Sequence, residues 1–227
     1  MDTHFDCLVI GSGYAGSVAA REMAERGGRR VLVLERRGHV GGNAYDCLDE
    51  HGILIHKYGP HIFHTSERRV FDYLSRFTGW RDYQHHMAFP EEKAARLEDK
   101  LLSAYSANAR VTILSLRENT DPELREVADY VYENVFVHYT MKQWGQLPEE
   151  IDPATTARVP ILLSRDDRYF QDPYQGMPLE GYTPLFQRML DHPRITVELG
   201  VDARERMALE DGVIRLDGEP FAGPVIY

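Results

Sequence analysis

Phe5–Ile10 is a mostly apolar run that leads into a glycine turn, and Val31–Leu34 is a second apolar run. Between them Ser17–Arg26 carries apolar residues at helical spacing, so the start of the chain predicts a strand, a turn, a helix and a second strand. A Gly/His/Tyr-rich stretch follows over residues 38–66. Val70, Phe71, Leu74 and Phe77 then recur at i, i+1, i+4 and i+7, as in a helix with one face in a core. Pro90, Glu91 and Glu92 predict a helix start, because proline tolerates the first turn and acids suit its positive end; Ala94, Leu97 and Leu101 mark its buried stripe. Arg110–Leu116 predicts a short strand. Asp121-Pro122 opens another helix, with Leu124, Val127, Ala128, Val131 and Val135 at helical spacing. Ile195–Leu199, Val213–Leu216 and Val225–Tyr227 read as strands, the first two separated by the turn-like Glu210-Asp211-Gly212.

This order predicts an α/β protein: a Rossmann-like, dinucleotide-binding parallel sheet with an inserted helical domain and an additional β-sheet region. The expected divisions are 1–66 for the dinucleotide core, 67–147 for the helical insert, and 148–227 for a sheet region that returns to the first domain. The last run stops in mid-strand, which leads us to expect a longer parent chain. At 227 residues, with 43% apolar and 27% charged residues, the chain is long and apolar enough for a true core, which excludes disorder as its main state. A net charge of −10 argues against nucleic-acid binding and against attachment to an anionic membrane. No run approaches the roughly 20 apolar residues of a membrane span, and the start lacks the order of a signal peptide, so a cytoplasmic protein without membrane insertion is expected. Cys7 and Cys47 form no CxxC pattern, so neither a disulfide framework nor a zinc ribbon is expected.

Gly11-Ser12-Gly13-Tyr14-Ala15-Gly16 fits GxGxxG and sits after a strand and at the head of a helix. Gly11 makes the tight turn, Gly13 lets backbone approach a pyrophosphate, Gly16 packs helix on strand, and the helix start, with Tyr14, offers N–H groups to the anion. Glu35, 19 positions beyond Gly16, ends the second strand where a carboxylate holds a ribose hydroxyl. An acid there disfavours a 2′-phosphate and leaves NAD or FAD. Glu35 followed after five residues by Gly41-Gly42 resembles the second signature of the large FAD-binding superfamily that includes the amine oxidases, and that resemblance selects FAD.

Tyr58-Gly59-Pro60-His61-Ile62-Phe63-His64-Thr65 packs two imidazoles, two aromatic rings and a Gly-Pro turn into eight residues. The histidines lack a carboxylate or cysteine at a recognisable ligand spacing, so no metal site is expected; satisfying buried backbone groups is their plainer role. The octapeptide is joined by Gly41-Gly42-Asn43-Ala44-Tyr45-Asp46, Tyr139-Thr140-Met141-Lys142-Gln143-Trp144-Gly145, Asp166-Asp167-Arg168-Tyr169-Phe170, and Gln175-Gly176-Met177-Pro178 with Gly181-Tyr182-Thr183. In this order, from about residue 5 onward, these segments closely resemble the UDP-galactopyranose mutases.

That resemblance implies an isomerase of galactofuranose biosynthesis and cell-wall assembly that interconverts UDP-galactopyranose and UDP-galactofuranose. It implies reduced FAD, whose N5 attacks the anomeric carbon and expels UDP with no net redox change. Carried over by position, Glu35, Arg36, Asn43, Tyr58, Gly59, His61 and Ile62 line FAD beside the glycine turn, and His64 lies near the reactive ring. Phe136, Tyr139, Thr140 and Trp144 form the nucleotide and sugar wall, while Arg158 and Tyr169 meet the diphosphate, Arg158 with His64 as the catalytic pair. Tyr139 and Trp144 also suit cap and core positions, and Arg158 a solvated surface. Asp166-Asp167-Arg168 reads as a turn rather than an acid pair, because adjacent side chains in an extended segment point opposite ways. A homo-oligomer is compatible with the resemblance.

The sequence departs from the family in three places. Family members continue past the position of Tyr227 and carry a segment between His86 and Met87 that is missing here, so incomplete activity is expected from these residues alone. Leu162, Ser164 and His138 replace arginine, asparagine and glycine. Two other functions share the pattern: a flavin oxidoreductase of the amine-oxidase type and a non-catalytic FAD-binding fragment.

Overall fold

In the computed structural model of the chain, the described residues are 5–86, 91–106, 109–147, 150–152, 154, 160–163, 166 and 168–227; the side chains of 91–96, 139 and 142–144 lie outside that set. The chain divides into two compact units, Met1–Gln84 with Phe170–Tyr227, and His85–Tyr169. The first unit opens with β1 (Cys7–Ile10), α1 (Tyr14–Glu25), β2 (Val31–Glu35), β3 (Asp46–Leu48), β4 (Leu54–His56), β5 (Phe63–Thr65), α2 (Arg68–Leu74) and β6 (Trp80–Arg81). The second contains α3 (Glu91–Ala104), β7 (Arg110–Val111), α4 (Ile113–Arg117), α5 (Pro122–Val131), α6 (Val137–Trp144) and β8 (Ile161–Leu162). The first unit resumes with β9 (Tyr174–Pro178), α7 (Tyr182–Leu190), β10 (Ile195–Leu199), α8 (Ala203–Arg206), β11 (Met207–Glu210), β12 (Val213–Leu216), β13 (Glu219–Pro220) and β14 (Val225–Ile226).

A parallel sheet in the order β10-β2-β1-β14 organises the first unit. Side chains alternate across a strand, and both faces of this sheet are covered, which is why β1 and β2 are apolar without interruption. Cys7, Val9, Val31 and Val33 face Ala20 and Ala24 of α1 and Leu185, Phe186 and Met189 of α7. Leu8, Leu32 and Leu34 face the opposite way, toward Ala203, Met207, Leu216 and Phe221. α1 meets the sheet through small residues, Ser17, Ala20 and Ala24. The approach is closest at Gly16, where a Cβ would stand 1.9 Å from the Gly11 carbonyl oxygen, a backbone atom that cannot yield.

Strands β5, β9 and β6 form a second, antiparallel sheet in which His64 stands opposite Gln175. The sheet thus sets residues 174–178 against part of the histidine octapeptide, although more than 100 residues separate them. Asp46 anchors α7 from a distance: its buried carboxylate accepts the Tyr182 N–H at 2.5 Å and the Thr183 N–H at 2.7 Å. These are orphan donors of the first helical turn, and the N-cap Gly181 has no side chain to take them. No helix among the described residues is long and apolar enough to cross a membrane.

The α/β reading of the sequence holds, with several local corrections. α1 begins at Tyr14, three residues before the apolar periodicity does. Of the predicted stripe Leu74 and Phe77 are buried, but Val70 is exposed. Arg110–Leu116 is a strand only for two residues; Thr112 then caps a helix by accepting the Ser115 N–H. The Asp211-Gly212 turn, with φ of 51° and 76°, joins β11 to β12 in a tight hairpin rather than linking Ile195–Leu199 to Val213–Leu216. Ile195–Leu199 instead pairs in parallel with β2.

In the helical unit, Asp121 caps α5 by accepting the Glu123 N–H at 2.9 Å, with Pro122 in the first turn, and Leu124 and Ala128 are buried. A π-helical turn, Tyr132–Phe136, follows directly and precedes α6. Its core gathers Val111, Ile113, Leu116, Ala128, Tyr132, Phe136 and Leu163.

Leu32 is fully buried at the centre of the parallel sheet. Leu32→Ala is expected to cost about 2–5 kcal/mol through lost burial and a residual cavity, measured as a lower urea midpoint at unchanged slope.

Candidate functional site

The turn from β1 into α1 leaves the first N–H groups of the helix without a capping side chain, and no acidic residue stands in that first turn. It is therefore an electropositive backbone cup. Gly41–Ala44 folds over it: the Gly41 N–H donates to the Ser12 carbonyl at 2.9 Å. A Cβ on Gly42 would lie 3.1 Å from the Gly13 Cα, so the two glycine turns meet backbone to backbone.

Glu35 closes the cup from the end of β2. One carboxylate oxygen accepts the Ser12 N–H at 2.8 Å and the Ser12 hydroxyl at 2.9 Å, and the other accepts the Arg37 N–H at 2.9 Å. Burial pushes this carboxyl upward, and it is the largest single influence. The hydrogen bonds from Ser12 and Arg37, with the Arg37 charge, outweigh it together and hold the group below the ordinary carboxylate range.

Around the cup lies a polar aromatic cluster. The Arg37 guanidinium donates to Asn43 Oδ1 at 2.9 Å and sits 4.5 Å from the centre of the Tyr58 ring. His39 stacks on Tyr45 at 3.6 Å, and its Nε2 lies 2.9 Å from the Tyr58 hydroxyl. Tyr182 bridges the cup to the octapeptide, with its ring edge-on to those of Tyr14 and His61 and its hydroxyl donating to the His61 carbonyl. His61 donates its backbone N–H to His56 Nδ1 at 2.9 Å, and its own Nδ1 lies 2.9 Å from the Gly59 carbonyl. Burial lowers the His56 imidazole, the neighbouring His61 adds to this, and Asp46 opposes it.

The structure thus brings Gly11, Gly13, Tyr14, Gly16, Glu35, Gly41, Gly42 and Asn43 into one turn assembly, connected to Tyr58 through Arg37 and to His61 through Tyr182. Arg36 is exposed beside Glu35, and Ile62 is half-buried next to His61. His64 stands further along, on β5, with Nδ1 2.6 Å from Asp172. Among the described residues, no three His, Cys, Asp or Glu side chains are grouped to hold a metal ion.

Known proteins share the sequence patterns of this chain. The sequence pattern of NAD(P)-binding Rossmann-like domains matches residues 9–77, and that of UDP-galactopyranose mutase matches residues 134–227. The UDP-galactopyranose mutase of Mycoplasma pneumoniae is 32% identical over 98% of this chain and 61% of its own length. The chain is similar to the UDP-galactopyranose mutases. A dTDP-fucopyranose mutase of Escherichia coli is 36% identical over 85% of this chain and 56% of its own length. The chain thus spans a little over half the length of these relatives. The crystal structure of reduced UDP-galactopyranose mutase superposes with a TM-score of 0.53 at 17% identity, over 97% of this chain and 54% of that one. Putrescine oxidase bound to putrescine gives 0.54 at 14%, over 95% and 55%. At these identities the structural likeness is one of fold.

The residues expected at the nucleotide sugar all lie in the helical unit. Phe136 is only 6% exposed, within that unit's core, and Thr140 only 3%. The Tyr139 and Trp144 side chains, Arg158 and Ser164 lie outside the described residues. Tyr169 is half-exposed, with its N–H on the His85 carbonyl at 2.7 Å. Asp166 is braced by the Arg168 guanidinium, which holds its carboxyl down to about 2. Sequence reasoning did not single out Ser12, Arg37, His39 or Asp172. Only Ser12 carried a signal, as the variable residue between the first two glycines of the fingerprint.

Glu35→Gln places an amide donor against the Ser12 or Arg37 donors and is expected to cost about 1–3 kcal/mol at pH 7. The folded carboxyl titrates below its unfolded value of about 4.3. The wild-type advantage is therefore complete above that value and disappears as pH falls further. Urea unfolding of both proteins at pH 7 and pH 3 measures the difference.

Proposed function

We propose that the chain binds reduced FAD and serves a mutase that interconverts UDP-galactopyranose and UDP-galactofuranose. The observation that carries this reading is the backbone cup of α1, closed by Gly42 against Gly13 and edged by the Glu35 carboxylate. The cup fits a dinucleotide: the uncapped N–H groups suit a pyrophosphate, the bare glycine contact admits it, and Glu35 keeps lone pairs for a ribose hydroxyl. Arg36, Asn43, Tyr58, Gly59, His61 and Ile62 complete the lining of the cofactor site.

When bound, reduced FAD supplies the nucleophile for the anomeric carbon with no net redox change. The chain binds and orients around that chemistry. Tyr139, Thr140, Trp144 and Phe136 are the nucleotide and sugar residues, and Arg158 and Tyr169 donate to the diphosphate. A guanidinium there stabilises the charge that grows on the departing UDP. The match of residues 134–227 to the mutase family supports this assignment, and the E. coli relative points to nucleoside-diphosphate sugars as the wider class. On this reading the reaction is cytoplasmic, where nucleotide sugars are made, and its furanose product serves cell-wall assembly.

The purified chain is expected to retain FAD and, once reduced with dithionite, to convert UDP-galactofuranose to the pyranose without consuming oxidant, as read by chromatography and stopped-flow absorbance. Arg158→Lys, which replaces a planar fork with a point charge, is expected to lower turnover by about a hundredfold at unchanged FAD content. Colourless protein would refute the cofactor assignment. Flavin reoxidation in step with product would instead favour an amine-oxidase type of oxidoreductase, and bound flavin without pyranose product a non-catalytic FAD-binding chain.

A further inference from the structure

His64 is held more closely than an exposed histidine needs to be. Its Nδ1 lies 2.6 Å from Asp172 Oδ2, and its ring stacks on Phe170 with centroids 3.6 Å apart and planes 14° from parallel. Both partners come from one short stretch before β9, and that stretch is fixed by a buried side chain. Gln175, opposite His64 in the sheet and 9% exposed, donates from its amide nitrogen to the Phe170 carbonyl at 2.9 Å and the Asp172 carbonyl at 2.8 Å. The stack holds the plane of the imidazole and the carboxylate holds its rotation. Among the described residues, Nε2 has no partner, and the ring is about a third exposed.

We infer that Asp172 is a positioning residue that sets the tautomer of His64. A carboxylate only accepts, so a contact this short requires the proton on Nδ1. In the neutral ring Nε2 is then left as a lone-pair acceptor, since the hydrogen bond made by one imidazole nitrogen decides the state of the other. His64 thereby presents an acceptor to a ligand hydroxyl or N–H. Neutral histidine in water prefers the opposite tautomer, so the preference has to be imposed by the fold. This inference rests on the reading that the octapeptide borders the flavin and sugar, which gives the acceptor something to meet.

The test is a long-range proton–nitrogen correlation on the full chain labelled with [15N]histidine. It is recorded at about pH 9, above the ordinary imidazole range, with and without FAD. Without FAD, the wild-type His64 is expected to carry its proton on Nδ1 in about tenfold excess, the scale of a hydrogen bond to a charged group. Asp172→Ala should bring the ratio to parity or below, and the isosteric Asp172→Asn to an intermediate value. Phe170→Leu should leave it unchanged, since that substitution removes the stack but not the carboxylate. A proton mainly on Nε2 in the wild type, or a ratio indifferent to Asp172, would overturn the assignment. Addition of FAD is expected to move the Nε2 signal. A fixed signal with the Nδ1 tautomer intact would refute the neighbouring flavin and leave the assignment standing.

Discussion

A buried carboxylate must have its donors, and in this protein that requirement joins the first turn to the second strand. Glu35 sits at the end of β2 with almost no access to water, and Ser12 meets it with both backbone and side chain. Ser12 in turn accepts from the Gly41 N–H and the Ser17 hydroxyl, so the loop beyond β2 and the second turn of α1 are tied to the same residue. The cup at the head of α1 is therefore set by a chain of bonds from strand to turn to helix. Those bonds within the protein fix its shape, and a fixed shape reduces the ordering cost that binding has to meet.

Charge explains why such a cup has to be local. The chain carries a net charge of −10, and many of its arginines are already committed. Arg206 spans Glu198 and Asp217, Arg204 grips Asp202, and Arg168 grips Asp166. Arg76 reaches Glu25 across the helices with both contacts at 2.6 Å and, with Arg21, pulls that carboxyl down to about 2. A long-range field of this sign does not draw in a diphosphate. An anion site in this chain has to rest on local donors, and the uncapped N–H groups at the head of α1 are such donors.

How much was legible in the sequence follows from where each signal is stored. β1, α1 and β2 were readable because a parallel sheet buried on both faces needs unbroken apolar strands, and the glycine fingerprint marks the turn between them. β11 was not, since Met207-Ala208-Leu209-Glu210 has no β-branched residue and reads as helix; only its Asp211-Gly212 turn, where non-glycine Asp211 accepts a positive φ, identifies the hairpin. Thr112 was overlooked as a cap because the strand-like residues around it dominated the reading. Asp46 and Asp172 were beyond local inference altogether. Asp46 meets Tyr182 136 positions away and Asp172 meets His64 108 away, so neither pairing leaves a periodic trace.

The same distinction separates the two halves of the functional reading. The backbone cup draws on residues within the first 43 of the chain and is formed by contacts within one unit, so its glycine motif and its geometry can be read together. The residues we propose for the nucleotide sugar come from a unit whose helices are individually clear but whose path includes a π-helical turn at Tyr132–Phe136. Such a turn widens the helical repeat, and the buried positions Leu124, Ala128, Tyr132, Phe136 and Thr140 run through it at a constant spacing. Phe136 closes the turn within the core, and Thr140 is buried one step further along, in α6. A stripe with a step of four residues drifts around a regular α-helix, and the wider π-helical turn offsets that drift, so the burial that α5 begins is carried on into α6.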